Sequence, residues 1–163
     1  MEYFVMMPDP RVKNALKIDA DSIDFQTLDA FAAYTDFQPD TAFVDFITLK
    51  KQFSHLFCAS DSLKEMLEIY ADNFTSVPFF VTDQNQKGQK VYWIIHIEPI
   101  DCLEIKPFMR YDNLLLKSDK IKNKSIFRIV FEKQEYLIVS LILAENILRK
   151  SPTGIKFFPV TLQ

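Results

Sequence analysis

One arrangement of residues occurs twice along the chain. Phe57-Cys58-Ala59-Ser60 leads into a helical segment, a turn and the run Val77-Pro78-Phe79-Phe80-Val81-Thr82. Ile138-Val139-Ser140 leads likewise into a helical segment, a turn and Ile155-Lys156-Phe157-Phe158-Pro159-Val160-Thr161. In both, an apolar run ends in serine, about three turns of helix follow, and a strand built on a Phe-Phe pair closes the unit. The pattern predicts an internal duplication of a strand-helix-strand unit, over 56–97 and 136–163, with two half-cores about a pseudo-twofold axis. Few residues are shared between the stretches, and helix-then-strand is a common arrangement, so accidental likeness is the competing reading.

Periodicity and punctuation place the other elements. Tyr3–Met7 reads as a first strand stopped by Pro8 and Pro10. Val12–Ile18 is a helical turn or an extended connector, and Leu28–Tyr34 a short helix burying Leu28, Phe31 and Ala32. Ser62-Leu63-Lys64-Glu65 matches a capping box, followed by an apolar stripe of Leu63, Met66, Leu67 and Tyr70. Val77–Val81 and Val91–Ile97 are strands about the polar loop Asp83–Gly88. Ile100–Asn123 is mostly loop, with Leu114–Leu116 as an edge strand. Ile126–Phe131 and Tyr136–Val139 form a hairpin. Ser140 opens a second helix with Leu141, Ala144, Ile147 and Leu148 along its inner side, and Ile155–Val160 is the last strand. The expected fold is one α+β domain over 1–163, with antiparallel or mixed sheet regions, two main helices and an acidic, aromatic-rich segment over 1–50.

Composition supports a packed core and excludes several chemistries. A chain of 163 residues buries about 70% of its unfolded surface, and sixteen Phe make that core aromatic. Phosphate-cradling loops need clustered glycines. The chain has two, Gly88 and Gly154, far apart, which excludes a Walker loop and a dinucleotide fingerprint. Met1–Pro8 lacks the basic and apolar regions of a signal peptide, and no apolar run approaches the ~18 residues that span a bilayer. Cys58 and Cys102 stand alone among apolar neighbours, as buried free thiols of a reducing compartment do. A cytoplasmic location without membrane contact is expected.

Catalytic signatures are sparse. His55 and His96 have no ligand-spaced His or Cys beside them, and neither HExxH nor G-x-S-x-G occurs. A cleft near Trp93, His96 and Asp101 is the alternative site, with a Cys102–His96 dyad as its sharpest form. Against it, a strand histidine beside aromatics is ordinarily a rim residue, and Asp101 suits a turn. The expectation is a non-enzyme with no catalytic, cofactor-binding or metal-binding residues.

Charge is distributed unevenly. Between Lys17 and Lys50 there is no Lys or Arg, but seven Asp: Asp19, Asp21, Asp24, Asp29, Asp36, Asp40 and Asp45. The segment carries −7 against −3 for the whole chain, so the remainder carries +4. Phe25, Phe31, Tyr34, Phe37, Phe43 and Phe46 are interleaved. Negative charge beside aromatic anchors suits a basic protein partner, with Asp19, Asp21, Asp24, Asp29, Asp36 and Asp40 supplying charge and Tyr34 and Phe37 supplying rings. It disfavours nucleic acid, whose phosphates are repelled. The plainer alternative is a solvated acidic face with its rings turned inward. The lysines and arginines of Lys106–Arg128 read as a solvated loop.

Residues along the chain resemble a known family. They are Met1–Arg11 with Asn14–Ile18, Ser60–Lys64, Val91-Tyr92-Trp93, Ile100–Leu103, Ile126-Phe127-Arg128, Ile138-Val139-Ser140, Ala144-Glu145 and Thr153–Val160. In that order they are similar to a bacterial family first catalogued as a domain of unknown function and now grouped with immunity proteins of polymorphic-toxin systems. The resemblance implies a protein that binds and neutralises a toxin encoded beside it. It carries over no catalytic residues. A small enzyme or ligand-binding domain and a structural or oligomerisation domain are the other classes, and the sequence leaves the oligomeric state open.

Overall fold

The computed structural model of the protein describes residues 2–23, 31–51, 54–85 and 88–163. Its elements are β1 (Tyr3–Pro8), β2 (Phe31–Thr35), β3 (Phe46–Lys51), β4 (Ser54–Ala59), α1 (Asp61–Tyr70), β5 (Phe74–Asp83), β6 (Gln89–Ile97), β7 (Leu115–Leu116), β8 (Ile126–Phe131), β9 (Gln134–Ser140), α2 (Leu141–Arg149) and β10 (Ile155–Leu162). The fold is α+β. One sheet has the order β7-β10-β1-β9-β8 and the other β2-β5-β6-β4-β3. In each, the first-named pair is parallel and the other three are antiparallel.

The two sheets therefore share one topology, and their registers agree. Phe46 faces Ala59 and Thr48 faces Phe57 in the β3–β4 hairpin; Ile126 faces Val139 and Arg128 faces Leu137 in the β8–β9 hairpin. The Ser60 amide donates to Asp45 O at 2.9 Å, and the Ser140 amide to Ser125 O at 2.8 Å. Each serine hydroxyl then accepts from the amide three residues on, Leu63 or Leu143, at 3.4 Å, which caps the helix. The likeness runs beyond 56–97 and 136–163: β1 through β5 correspond in order to β6 through β10. The first strand of each half lies in the sheet of the other, β1 between β9 and β10, β6 between β4 and β5.

The Phe-Phe pairs that suggest the likeness in sequence do not superpose. Phe57 pairs with Ile95 and Ile95 with Ser76, whereas Leu137 pairs with Met6 and Met6 with Phe157. Ser76 thus corresponds to Phe157 and Pro78 to Pro159. Each of these prolines faces an aromatic residue, Trp93 or Phe4.

Three apolar clusters hold the layers together. The first gathers Phe46, Phe57, Ile95, Met6, Leu137 and Ile126 with the buried sides of both helices. Phe46 and Phe57 stack there at 6.0 Å, and such pairs add about 0.5–1.5 kcal/mol beyond area burial. The second lies under the segment after β6 and includes Tyr3, Cys102, Leu116 and Phe127. The third lies under the segment after β1 and includes Leu16, Ala33, Cys58, Phe79 and Tyr92.

Several local expectations are corrected. The α1 cap is Ser60, so Ser62 lies inside the helix. The buried side of α2 is Leu143, Ala144 and Ile147, while Leu148 is exposed, because the cap at Ser140 sets the helical phase. Residues 31–34 are not helical. They form β2, where pairing with β5 satisfies the backbone and buries Ala33, leaving Ala32 exposed. Leu28 lies outside the described residues.

Candidate functional site

The acidic segment divides into structural and surface parts. Asp45 is structural: its Oδ1 accepts from the Ser60 hydroxyl at 2.6 Å and its Oδ2 from the Thr153 amide at 2.7 Å. It thereby joins the start of β3 to the α1 cap and to the turn before β10. Phe46 is fully buried, and Phe31 packs against the third cluster. Asp24, Asp29 and Phe25 lie outside the described residues.

At the surface, Tyr34 on β2 is 61% exposed, and Asp36, two residues on, is exposed as well. The strand alternation that buries Ala33 is what turns Tyr34 outward. Phe37 is partly buried and meets Phe43 edge-on at 5.1 Å, with Lys90 Nζ 5.1 Å from the Phe43 ring centre. Buried Asp83 fixes this corner by accepting from the Phe37 amide at 3.3 Å and the Asn85 amide at 3.1 Å. Asn85 Nδ2 in turn donates to Asp36 Oδ1 at 3.3 Å.

A groove of about 310 Å³ runs between residues 13–17 and 35–41. Asp36 and Asp40 line it from one segment, Lys13 and Lys17 from the other, so its charge is mixed. Asn14 Nδ2 donates to Asp40 O, and Thr35 Oγ1 to Lys17 O at 3.0 Å. Asp19 and Asp21 are exposed on a single 3-10 turn, where Asp19 Oδ1 accepts from the Asp21 amide at 3.0 Å. Asp36 and Asp40 thus share one groove, while Tyr34 stands exposed on β2 and Phe37 packs against Phe43.

Trp93, His96 and Asp101 are not brought together. Trp93 and His96 point to opposite faces of β6, as an odd spacing on a strand requires. Trp93 Nε1 donates to Asp61 at the start of α1, and Lys64 Nζ lies 5.0 Å from the ring centre. His96 is exposed, with Nε2 3.3 Å from Glu98 Oε1, and Asp101 is exposed on a loop. Cys58 and Cys102 are buried free thiols; burial pushes them up to about 12 and about 11 respectively. At those values neither is a nucleophile near neutrality. Among the described residues no group of three or more His, Cys, Asp or Glu is placed to hold a metal ion. Among the described residues no helix is long and apolar enough to cross a membrane.

One exposed feature carries no strong sequence signal. In the loop after β6, Ile105 is 76% exposed and Phe108 96% exposed, the latter at φ 61°. In a chain with sixteen Phe, nothing local marks Phe108 as a ring that stands outside.

No family model matches the chain, and no curated protein matches it.

Proposed function

We propose that this chain is an immunity-type protein that neutralises a cognate bacterial toxin by direct contact in the cytoplasm. The observation that carries the reading is Tyr34, a large exposed aromatic two residues from exposed Asp36. An aromatic anchor bordered by charge is the usual makeup of a protein-binding hot spot, where the ring supplies affinity and the charge speeds encounter. The ordered resemblance to immunity proteins supports the same reading, and the partner face is basic. A stoichiometric inhibitor needs a complementary surface of about 800 Å² per partner and no reacting group.

Co-expression with the toxin domain encoded beside this chain tests the proposal. Growth is restored by the native chain and lost again with Tyr34→Ala combined with Asp36→Lys and Asp40→Lys. Failure of the native chain to restore growth against every adjacent toxin domain removes the proposal.

A further inference from the structure

The inner faces of the two hairpins change character along their length. Near the helices they carry Phe46, Phe57, Ile126 and Leu137, all in the central cluster. Toward the hairpin turns, the same faces carry Lys50, His55, Arg128 and Glu135. The register correspondence places His55 of one half where Glu135 stands in the other, so the symmetry of the fold is broken here by an imidazole facing a carboxylate's counterpart position.

Between these hairpins the sheets enclose a cleft of about 190 Å³. Its apolar lining includes Met6, Leu49 and Phe57, and its polar lining includes Lys50, His55 and Glu135. Glu135 Oε2 accepts from Arg128 NH1 at 2.6 Å, and both side chains are largely buried. Among the described residues, two buried side-chain nitrogens have no hydrogen-bond partner: His55 Nδ1 and Arg128 Nε. His55 lines the cleft, and Arg128 is bound to a residue that lines it. Buried polar groups are costly to leave unpaired. The orphaned His55 nitrogen in the cleft wall therefore points to a partner supplied from outside the chain.

The donor set defines that partner. Arg128 Nε can only donate, the Lys50 ammonium only donates, and His55 Nδ1 donates when it carries the ring proton. The missing group is an acceptor. With Lys50 and Arg128 set against Glu135 alone, it is also favoured to be negative. Glu135 limits that charge, since a multiply charged anion meets a carboxylate inside the same space. An apolar cavity of about 150 Å³ accommodates benzene, so this cleft has room for a ring of that size with a small head group. We propose that the cleft binds a small monocarboxylate with an apolar body, about the size of benzoate. Its carboxylate faces His55 and Lys50, and its body lies against Met6 and Phe57. Sites of this kind lie preferentially where two structural halves meet.

A nitrogen-proton correlation NMR titration of the intact chain with benzoate tests this. Benzyl alcohol and inorganic phosphate serve as the neutral and multiply charged probes. The expected result is a saturable shift of the His55 ring and of the Phe57 and Tyr136 amides, with a Kd of about 1 mM. Neither other probe gives a saturable shift at these positions. His55→Phe and Lys50→Met each weaken benzoate by about fivefold or more. If His55→Phe does not fold, Lys50→Met decides, since Lys50 is exposed. The proposal is overturned by shifts that do not saturate, as when the orphans hold only water. It is equally overturned by an identical response to benzyl alcohol, or by unchanged benzoate affinity in Lys50→Met.

Discussion

Tyr3 and Tyr92 occupy the same place in the two halves of the molecule. The Tyr92 hydroxyl donates to Val44 O at 2.9 Å, and the Tyr3 hydroxyl donates to Lys124 O at 2.9 Å and to Ile121 O at 3.2 Å. Each tyrosine begins the buried part of a strand that crosses into the other half's sheet. Each ties that strand to the carbonyl ahead of the next hairpin. Removing either hydroxyl leaves a carbonyl short of its donor. Tyr3→Phe and Tyr92→Phe are each expected to lower stability by about 1–3 kcal/mol in denaturant unfolding. A large loss in one and none in the other contradicts the equivalence.

Asp45 links three elements through one carboxylate, two of them more than a hundred residues apart in the chain. Hydrogen bonds to a charged acceptor are the strong ones. Asp45→Ala removes both and strips the support from the α1 cap, so a loss of about 2–4 kcal/mol is expected. Ser125, its counterpart in the other half, has no carboxylate, and Ser125→Ala is expected to cost well under about 1 kcal/mol. Thermal unfolding of both variants checks the contrast.

Gly154 is held by conformation and by contact together. Its φ is +76°, and a Cβ there overlaps the Val44 side chain. Gly154→Ala adds left-handed strain to a clash with a branched core side chain. The expected loss is about 2 kcal/mol or more, measured as a lowered denaturation midpoint.

The fully buried Cys58 makes stability fall in alkali. Burial raises its thiol from an ordinary 9.0 to about 12. Below the ordinary value both states hold the proton, and the contribution is constant. Above it, the unfolded chain releases the proton while the folded chain keeps it. Stability therefore falls by about 1.4 kcal/mol per pH unit until the folded thiol also titrates. Denaturant unfolding from about pH 8 to pH 11 is expected to show a slope that is shallower in Cys58→Ala than in the native chain by about this amount, buried Cys102 contributing to what remains.

Much of this fold was legible because its signals are local. Ser140, the α1 stripe of Leu63 and Leu67, and the β8–β9 hairpin follow from capping and periodicity alone. β2 was not, because Ala32 and Ala33 favour helix locally; a parallel partner nearly fifty residues away overrides them. The exchange of first strands was also illegible. Tyr3–Pro8 reads as a strand in any sheet, and only long-range register shows which half receives it. In the candidate site, charge and aromatic interleaving singled out Tyr34 and Asp36, both of which the fold leaves exposed. Asp45 has the same sequence surroundings, yet its carboxylate is held by partners that only folding supplies.

The proposed docking rests most directly on Tyr34, and calorimetric titration of the intact chain against the proposed partner, a toxin domain encoded beside it, measures that contribution. A one-to-one complex that weakens with salt is expected, with a loss of at least about thirtyfold in affinity for Tyr34→Ala, the effect of removing a hot-spot ring. Absence of binding by the native chain, or equal affinity in Tyr34→Ala, contradicts it.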